Sequence, residues 1–126
     1  MAKQMLSPHF SRSEGECNCC GKIGPYPENW KILLEHMEKF RAIVKKPVIV
    51  KPMHCMYRCP KHNEEVGGVP GSYHTLAMAC DCHVEGMTVD EMAAAAHKAG
   101  FGGIGRHYSS GFVHLDVGPW NRFVGD

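Results

Sequence analysis

The sequence predicts an α+β fold: a small, mainly antiparallel sheet with helices packed on one face. Three observations predict it. Apolar residues recur at helical spacing in two stretches, one opening near Trp30 and one after Thr88. Period-two strand patterns occupy residues 78–84 and a C-terminal hairpin. The order is helix, strand, loop, strand, helix, hairpin, which suits helices covering one side of an antiparallel sheet. The 126 residues fit a single domain, 1–126, and suffice to bury one core.

Residues 1–27 are rich in Gly, Pro, Ser and Cys and read as a loop-rich N-terminal segment. Asn29 is the expected cap of a helix running from Trp30. In that helix Trp30, Leu33, Leu34, Met37 and Phe40 form an apolar stripe, with Lys31, Glu35, Glu38 and Lys39 between them. Pro47 lies beyond its end, and Val48-Ile49-Val50 reads as a short buried strand. Residues 52–60 read as irregular, 61–66 as one or two helical turns, and 67–71 as a turn. After the strand at 78–84, Thr88-Val89-Asp90-Glu91 is a capping box, in which the Thr88 hydroxyl and the Glu91 carboxylate each satisfy an orphan backbone amide. Its helix runs through the alanines and stops at Gly100. Residues 104–108 and 112–117 are expected as strands joined by Ser109-Ser110-Gly111.

Composition excludes several functions. The net charge is +1 and there is no basic run, so nucleic acid is not an expected partner. No apolar stretch is long enough to span a membrane, and Met1 to Leu6 lacks the apolar core of a secretory signal. Cytoplasmic synthesis and a monomer are the expectations. Seven cysteines make an odd count, which suits reduced thiols better than a disulfide framework. Cys17, Cys19 and Cys20 lie close together, Cys55 and Cys59 are four apart, and Cys80 and Cys82 flank Asp81. They do not form the two paired C-x-x-C units of a zinc ribbon, so idle thiols are expected rather than a second, cysteine-bound metal.

Strand alternation places Asp81 and His83 on one side of the first strand, opposite Met78, Cys80, Cys82 and Val84. In the last strand Phe112, His114 and Asp116 share one face, opposite Val113, Leu115 and Val117. If the strands share a sheet, Asp81 and His114 point into one cleft, and His74 reaches in from the preceding loop. Two nitrogens and one carboxylate oxygen suit a zinc ion that keeps one position open for water, the mark of a catalytic site. Residue types alone favour a solvated polar face.

The order of blocks decides between them. Ser72-x-His74 is followed after six residues by Asp81, and then by His114-x-Asp116 in a short apolar strand. Leu6-Ser7-Pro8-His9-Phe10, Tyr57-Arg58-Cys59-Pro60-Lys61-His62-Asn63, Val66-Gly67-Gly68-Val69-Pro70 and Gly100-Phe101-Gly102-Gly103-Ile104-Gly105 accompany them in order. From about Leu6 to about Trp120 this resembles the M15 group of zinc peptidases, in its small single-domain His-x-Asp branch. That group contains the D-Ala-D-Ala carboxypeptidases and peptidoglycan endopeptidases, whose fold is shared with the hedgehog signalling domain. The resemblance implies Zn2+ held by His74, Asp81 and His114 and a peptidoglycan peptide as substrate; a phage-encoded or prophage-encoded enzyme released by another route would reconcile a cell-wall substrate with cytoplasmic synthesis. The resemblance also implies that Arg58 faces the substrate, where its fork suits a carboxylate or an oxyanion; a surface ion pair with Glu64 or Glu65 is the plainer role.

The chain departs from the family pattern at Cys55-Met56, where relatives have Ser-Gly, and at Ala77, where they have Gly. Gly111 stands where many relatives place the general base three residues before the last ligand. Asp116 is therefore assigned as base or as the partner that orients the His114 imidazole, with His107 as the runner-up. Ser72 is assigned to support of the His74 loop. These departures keep open a non-catalytic zinc-binding structural or interaction module of the same fold.

Overall fold

The computed structural model describes residues 4–50, 56–68 and 71–125. Cys55, Val69 and Pro70, singled out above, lie outside them. The N-terminal segment is more structured than its composition suggests. Strands β1 (Met5–Ser7) and β2 (Phe10–Ser11) pair antiparallel and lead into a one-turn helix, α1 (Arg12–Gly15). Ser11 and Glu14 explain the turn: the Ser11 amide donates to the Glu14 carboxylate at 2.9 Å, as does its hydroxyl at 2.9 Å. Phe10, fully buried, anchors the segment to the core.

Helix α2 spans Pro27–Val44 and buries Trp30, Leu33, Met37 and Phe40, the predicted stripe. Its start is corrected from the expectation. Pro27 opens the helix with Tyr26 at the cap position, because a proline there gives up only an amide that would be orphaned. Asn29 instead reaches across to donate to the Leu76 carbonyl at 2.9 Å, tying α2 to the loop that carries His74. The helix ends where Lys45 turns left-handed at φ 58°. Residues 48–50 form no full strand. Ile49 makes one antiparallel bridge with His83, with amide–carbonyl distances of 2.8 and 3.0 Å. Pro47 supplies no amide to lengthen that ladder.

Helix α3 (Pro60–Glu65) and a 3-10 turn at Tyr73–Leu76 precede strand β3 (Ala79–Cys82). Helix α4 (Val89–Ala99) begins at the predicted capping box, with the Glu91 amide donating to the Thr88 hydroxyl at 3.1 Å and the Thr88 amide to the Glu91 carboxylate at 2.9 Å. It stops at Gly100, whose φ of 90° favours a residue without Cβ. Strands β4 (Gly103–His107) and β5 (Phe112–Asp116) form the expected hairpin. An unexpected strand, β6 (Asn121–Val124), pairs parallel to β4 at the sheet edge.

The four-stranded sheet has the order β3-β5-β4-β6 and is antiparallel except at β4–β6. Cys80, Cys82, Ile104, Val113 and Leu115 are buried in one core with Leu33, Met37, Phe40 and Met92 from the helices. The α+β architecture and its mainly antiparallel sheet are as predicted. Truncating a fully buried side chain such as Leu33 to alanine would cost about 2–5 kcal/mol.

The opposite sheet face is assembled by register. Asp81 on β3 lies directly across from His114 on β5, and His114 lies across from Gly105 on β4. One step along, Asp116 lies between Ala79 and Gly103. The two glycines are required. A Cβ on Gly103 would run into the Asp116 carboxylate, and one on Gly105 would run into the Phe123 ring.

Candidate active site

The Ser72 hydroxyl accepts the His74 amide at 3.3 Å, and the Ser72 carbonyl accepts the Thr75 hydroxyl at 2.6 Å. Ser72 thus supports the loop, as expected, and the tight turn that follows closes through Ala77, left-handed at φ 55°. The turn aims His74 inward. Its Nδ1–H donates to the Met56 carbonyl at 2.9 Å, which leaves Nε2 as the nitrogen that can offer a lone pair when the ring is neutral. That nitrogen lies 3.2 Å from Asp81 Oδ1.

His114 reaches the same oxygen from β5. Its Nδ1 lies 3.0 Å from Asp81 Oδ1, while its Nε2–H donates to Asp116 Oδ2 at 2.7 Å. The second Asp116 oxygen accepts the Gly118 amide at 3.0 Å, and the residue is buried. Each imidazole thus has one nitrogen fixed by a protein acceptor and the other turned to a common point. That is how ligating histidines are commonly held. One donor atom from each of His74, Asp81 and His114 lies within 4.8 Å of the others.

Electrostatics follow from the crowding. Burial alone would raise the Asp81 pKa, but His74 and His114 outweigh it and hold the carboxyl well below the usual range. Burial would lower His114, but hydrogen bonds to Asp116 and Asp81 raise it above the ordinary imidazole value.

Arg58 stands at the margin of this group. One guanidinium nitrogen lies 3.8 Å from Asp81 Oδ2 and another donates to Asn63 Oδ1 at 2.9 Å. Its partners thus include Asn63 and Asp81. Asn63 is buried and is itself fixed by the chain that turns back over it, whose Gly68 amide donates to the Asn63 carbonyl at 2.7 Å. A Cβ on Gly68 would clash with the Asn63 side chain, so the Gly67-Gly68 turn is part of the Arg58 mount.

His107 is not brought to the cluster. Its ring stacks on Phe112 at 4.2 Å and meets Phe123 edge-on at 6.2 Å, further along the strand from Gly105. Other described histidines lie elsewhere: His9 on Glu38, His36 on the Ile32 carbonyl, His62 beside Glu65, His83 beside Glu85 and His97 on Arg122. Sequence reasoning missed the Met56 carbonyl and Asn63, although Asn63 closes the block that contains Arg58. It also missed that Cys17, Cys20 and Cys59 meet in space. The signal was present, because Cys17 and Cys20 stand in one C-x-x-C unit.

Sequence comparison supplies the class. The Peptidase M15 family profile matches residues 8–116, and the chain belongs to that family. It is similar to the peptidoglycan L,D-endopeptidase MepK of Escherichia coli, 38% identical over 68 residues, which are 50% of this chain and 37% of that protein. The Shigella flexneri protein of the same name matches to the same extent. The "Probable peptidoglycan L,D-endopeptidase MepK" of Haemophilus influenzae is 29% identical over 76 residues, 56% of this chain and 41% of that protein. The chain thus spans well under two thirds of the length of the curated relatives it matches.

Proposed function

We propose that this chain is a zinc-dependent peptidase that hydrolyses the stem or cross-link peptides of peptidoglycan, as a D-Ala-D-Ala carboxypeptidase or an endopeptidase. The observation that carries the reading is the convergence of His74 Nε2 and His114 Nδ1 on the Asp81 carboxylate, with both far nitrogens already engaged by Met56 and Asp116. Two imidazoles and one carboxylate leave a tetrahedral zinc with one position for water, so the donor set fits the ion. A zinc held there would bring its water toward a pKa of about 7 and polarise the scissile carbonyl.

The chain's own residues do the rest. The Met56 carbonyl and Asp116 keep each histidine in the tautomer that presents a lone pair. Asp116 has one oxygen on the His114 imidazole and the other on the Gly118 amide, an arrangement that favours orienting the imidazole over general-base work. Arg58, braced by Asn63, offers its guanidinium to a substrate carboxylate or to the oxyanion of the tetrahedral intermediate. The similarity to the MepK proteins favours a peptidoglycan peptide as substrate.

The test is a digest of purified muropeptides, read by mass spectrometry, with zinc-loaded protein and with chelator. Chelator-sensitive release of a peptide or D-alanine, lost in His114→Ala, is the expected result. A protein that holds zinc through these residues and cleaves no muropeptide would instead be a binding or structural module of the same fold.

A further inference from the structure

We propose that Cys17, Cys20 and Cys59 hold a second zinc ion, a structural one, which clamps the N-terminal segment to the chain that carries Arg58. The three sulfurs lie within 4.8 Å of one another, although Cys59 comes from a distant part of the sequence. Core packing alone does not account for the group: Cys17 is buried in the core and Cys59 half-buried against it, but Cys20 is exposed.

The local backbone is shaped around them. The Gly21 amide donates to the Cys17 carbonyl at 2.9 Å, and the Cys17 amide donates to the Lys22 carbonyl at 2.9 Å. Gly21 completes this tight loop at φ +68°. The loop turns backbone amides onto the sulfurs. The Cys59 amide points at Cys17 Sγ from 3.4 Å, with the Cys19 and Cys20 amides beside it. The Lys22 amide serves Cys20, and the His62 amide points at Cys59 Sγ from 3.4 Å. Amides aimed at sulfur stabilise the thiolate, which is the form that binds metal.

Three thiols at one point cannot all be satisfied by disulfides, whereas a soft thiolate set with tetrahedral geometry suits zinc. Cys19 and His62 are the candidates for a fourth ligand: the His62 amide lies on Cys59 Sγ and His62 stands in a C-x-x-H unit with Cys59, while the ligand atoms of Cys19 and His62 group with each other and with Glu65. The consequence is mechanical. Cys59 directly follows Arg58, and the Tyr57 amide already donates to the Gly15 carbonyl at 3.0 Å. A zinc at the three sulfurs would fix both ends of that contact.

The test uses the full chain carrying His114→Ala, so that metal at the candidate active site is weakened and the outcome does not depend on the proposed peptidase activity. The variant is loaded with cobalt(II) and, separately, with zinc. The expected result is one tightly held metal per chain, an intense near-ultraviolet thiolate-to-cobalt charge-transfer band, and slow reaction of the three thiols with a disulfide reagent until chelator is added. Adding Cys59→Ser should remove the band and the protection. X-ray absorption on the zinc form should show at least three sulfur ligands. Because Cys59→Ser can fail to fold, the single variant decides: no charge-transfer band together with prompt thiol reaction in folded, metal-exposed protein overturns the proposal.

Discussion

Asp116→Asn separates an orienting carboxylate from a proton acceptor. In the native protein one Asp116 oxygen takes the His114 Nε2–H at 2.7 Å and the other takes the Gly118 amide at 3.0 Å. Asparagine has one oxygen and one NH2 group, so it can serve only one of these donors. With the NH2 toward His114, the ring must accept at Nε2 and carry its proton on Nδ1, the nitrogen that faces Asp81. That arrangement satisfies the metal-free protein and blocks the ligand lone pair. Metal entry forces the amide over, and its NH2 then opposes the Gly118 amide, two donors face to face in a buried site. Leaving a buried donor unsatisfied costs about 1–3 kcal/mol. A coupling of that size is roughly 5- to 150-fold in affinity, in line with the roughly 10–100-fold typical for groups that support ligating histidines. The assay is competitive zinc titration against a chromophoric chelator, with turnover then measured at saturating zinc. Unchanged zinc affinity would refute the reasoning; if turnover alone fell, Asp116 would be a proton acceptor after all.

Gly103→Ala should reproduce much of that defect with every titratable group intact, because the new Cβ displaces the Asp116 carboxylate; zinc titration and the melting temperature check it together. Arg58→Ala should lower kcat/KM for muropeptide cleavage by roughly 10- to 150-fold, the scale of about 1.5–3 kcal/mol for a hydrogen bond to a charged group, while zinc content stays constant. Glu38→Gln tests the N-terminal anchor. Burial pushes the Glu38 pKa up, but the Ser7 hydroxyl at 2.6 Å and the ring and amide of His9 outweigh it and hold it below its usual value. A depressed acid contributes stability that is present above its unfolded pKa of about 4.3 and is lost as pH falls through the lower folded value. The stability gap between native protein and Glu38→Gln in urea titrations should therefore be full near neutrality and close below about pH 4.

Periodicity is a local property, and it carried the α+β class, the stripe from Trp30 to Phe40, the capping box at Thr88 and the β4–β5 hairpin. The ordered blocks ending in His114-x-Asp116 singled out the residues that converge at the candidate site, because alternation along a strand already fixes which side chains share a face. The sequence by itself therefore determined the elements, the sidedness of the sheet and the residue types at the site. Tertiary structure decided what depends on distant segments meeting. Register put Asp81 across from His114, the turn at Tyr73–Leu76 gave His74 its Met56 acceptor, and Asn63 claimed Arg58. β6 escaped notice because a short edge strand in parallel pairing is stabilised by β4, not by its own pattern. Cys59 joined Cys17 and Cys20 for the same reason: proximity across a chain is set by the packing of the core, and spacing along the sequence does not encode it.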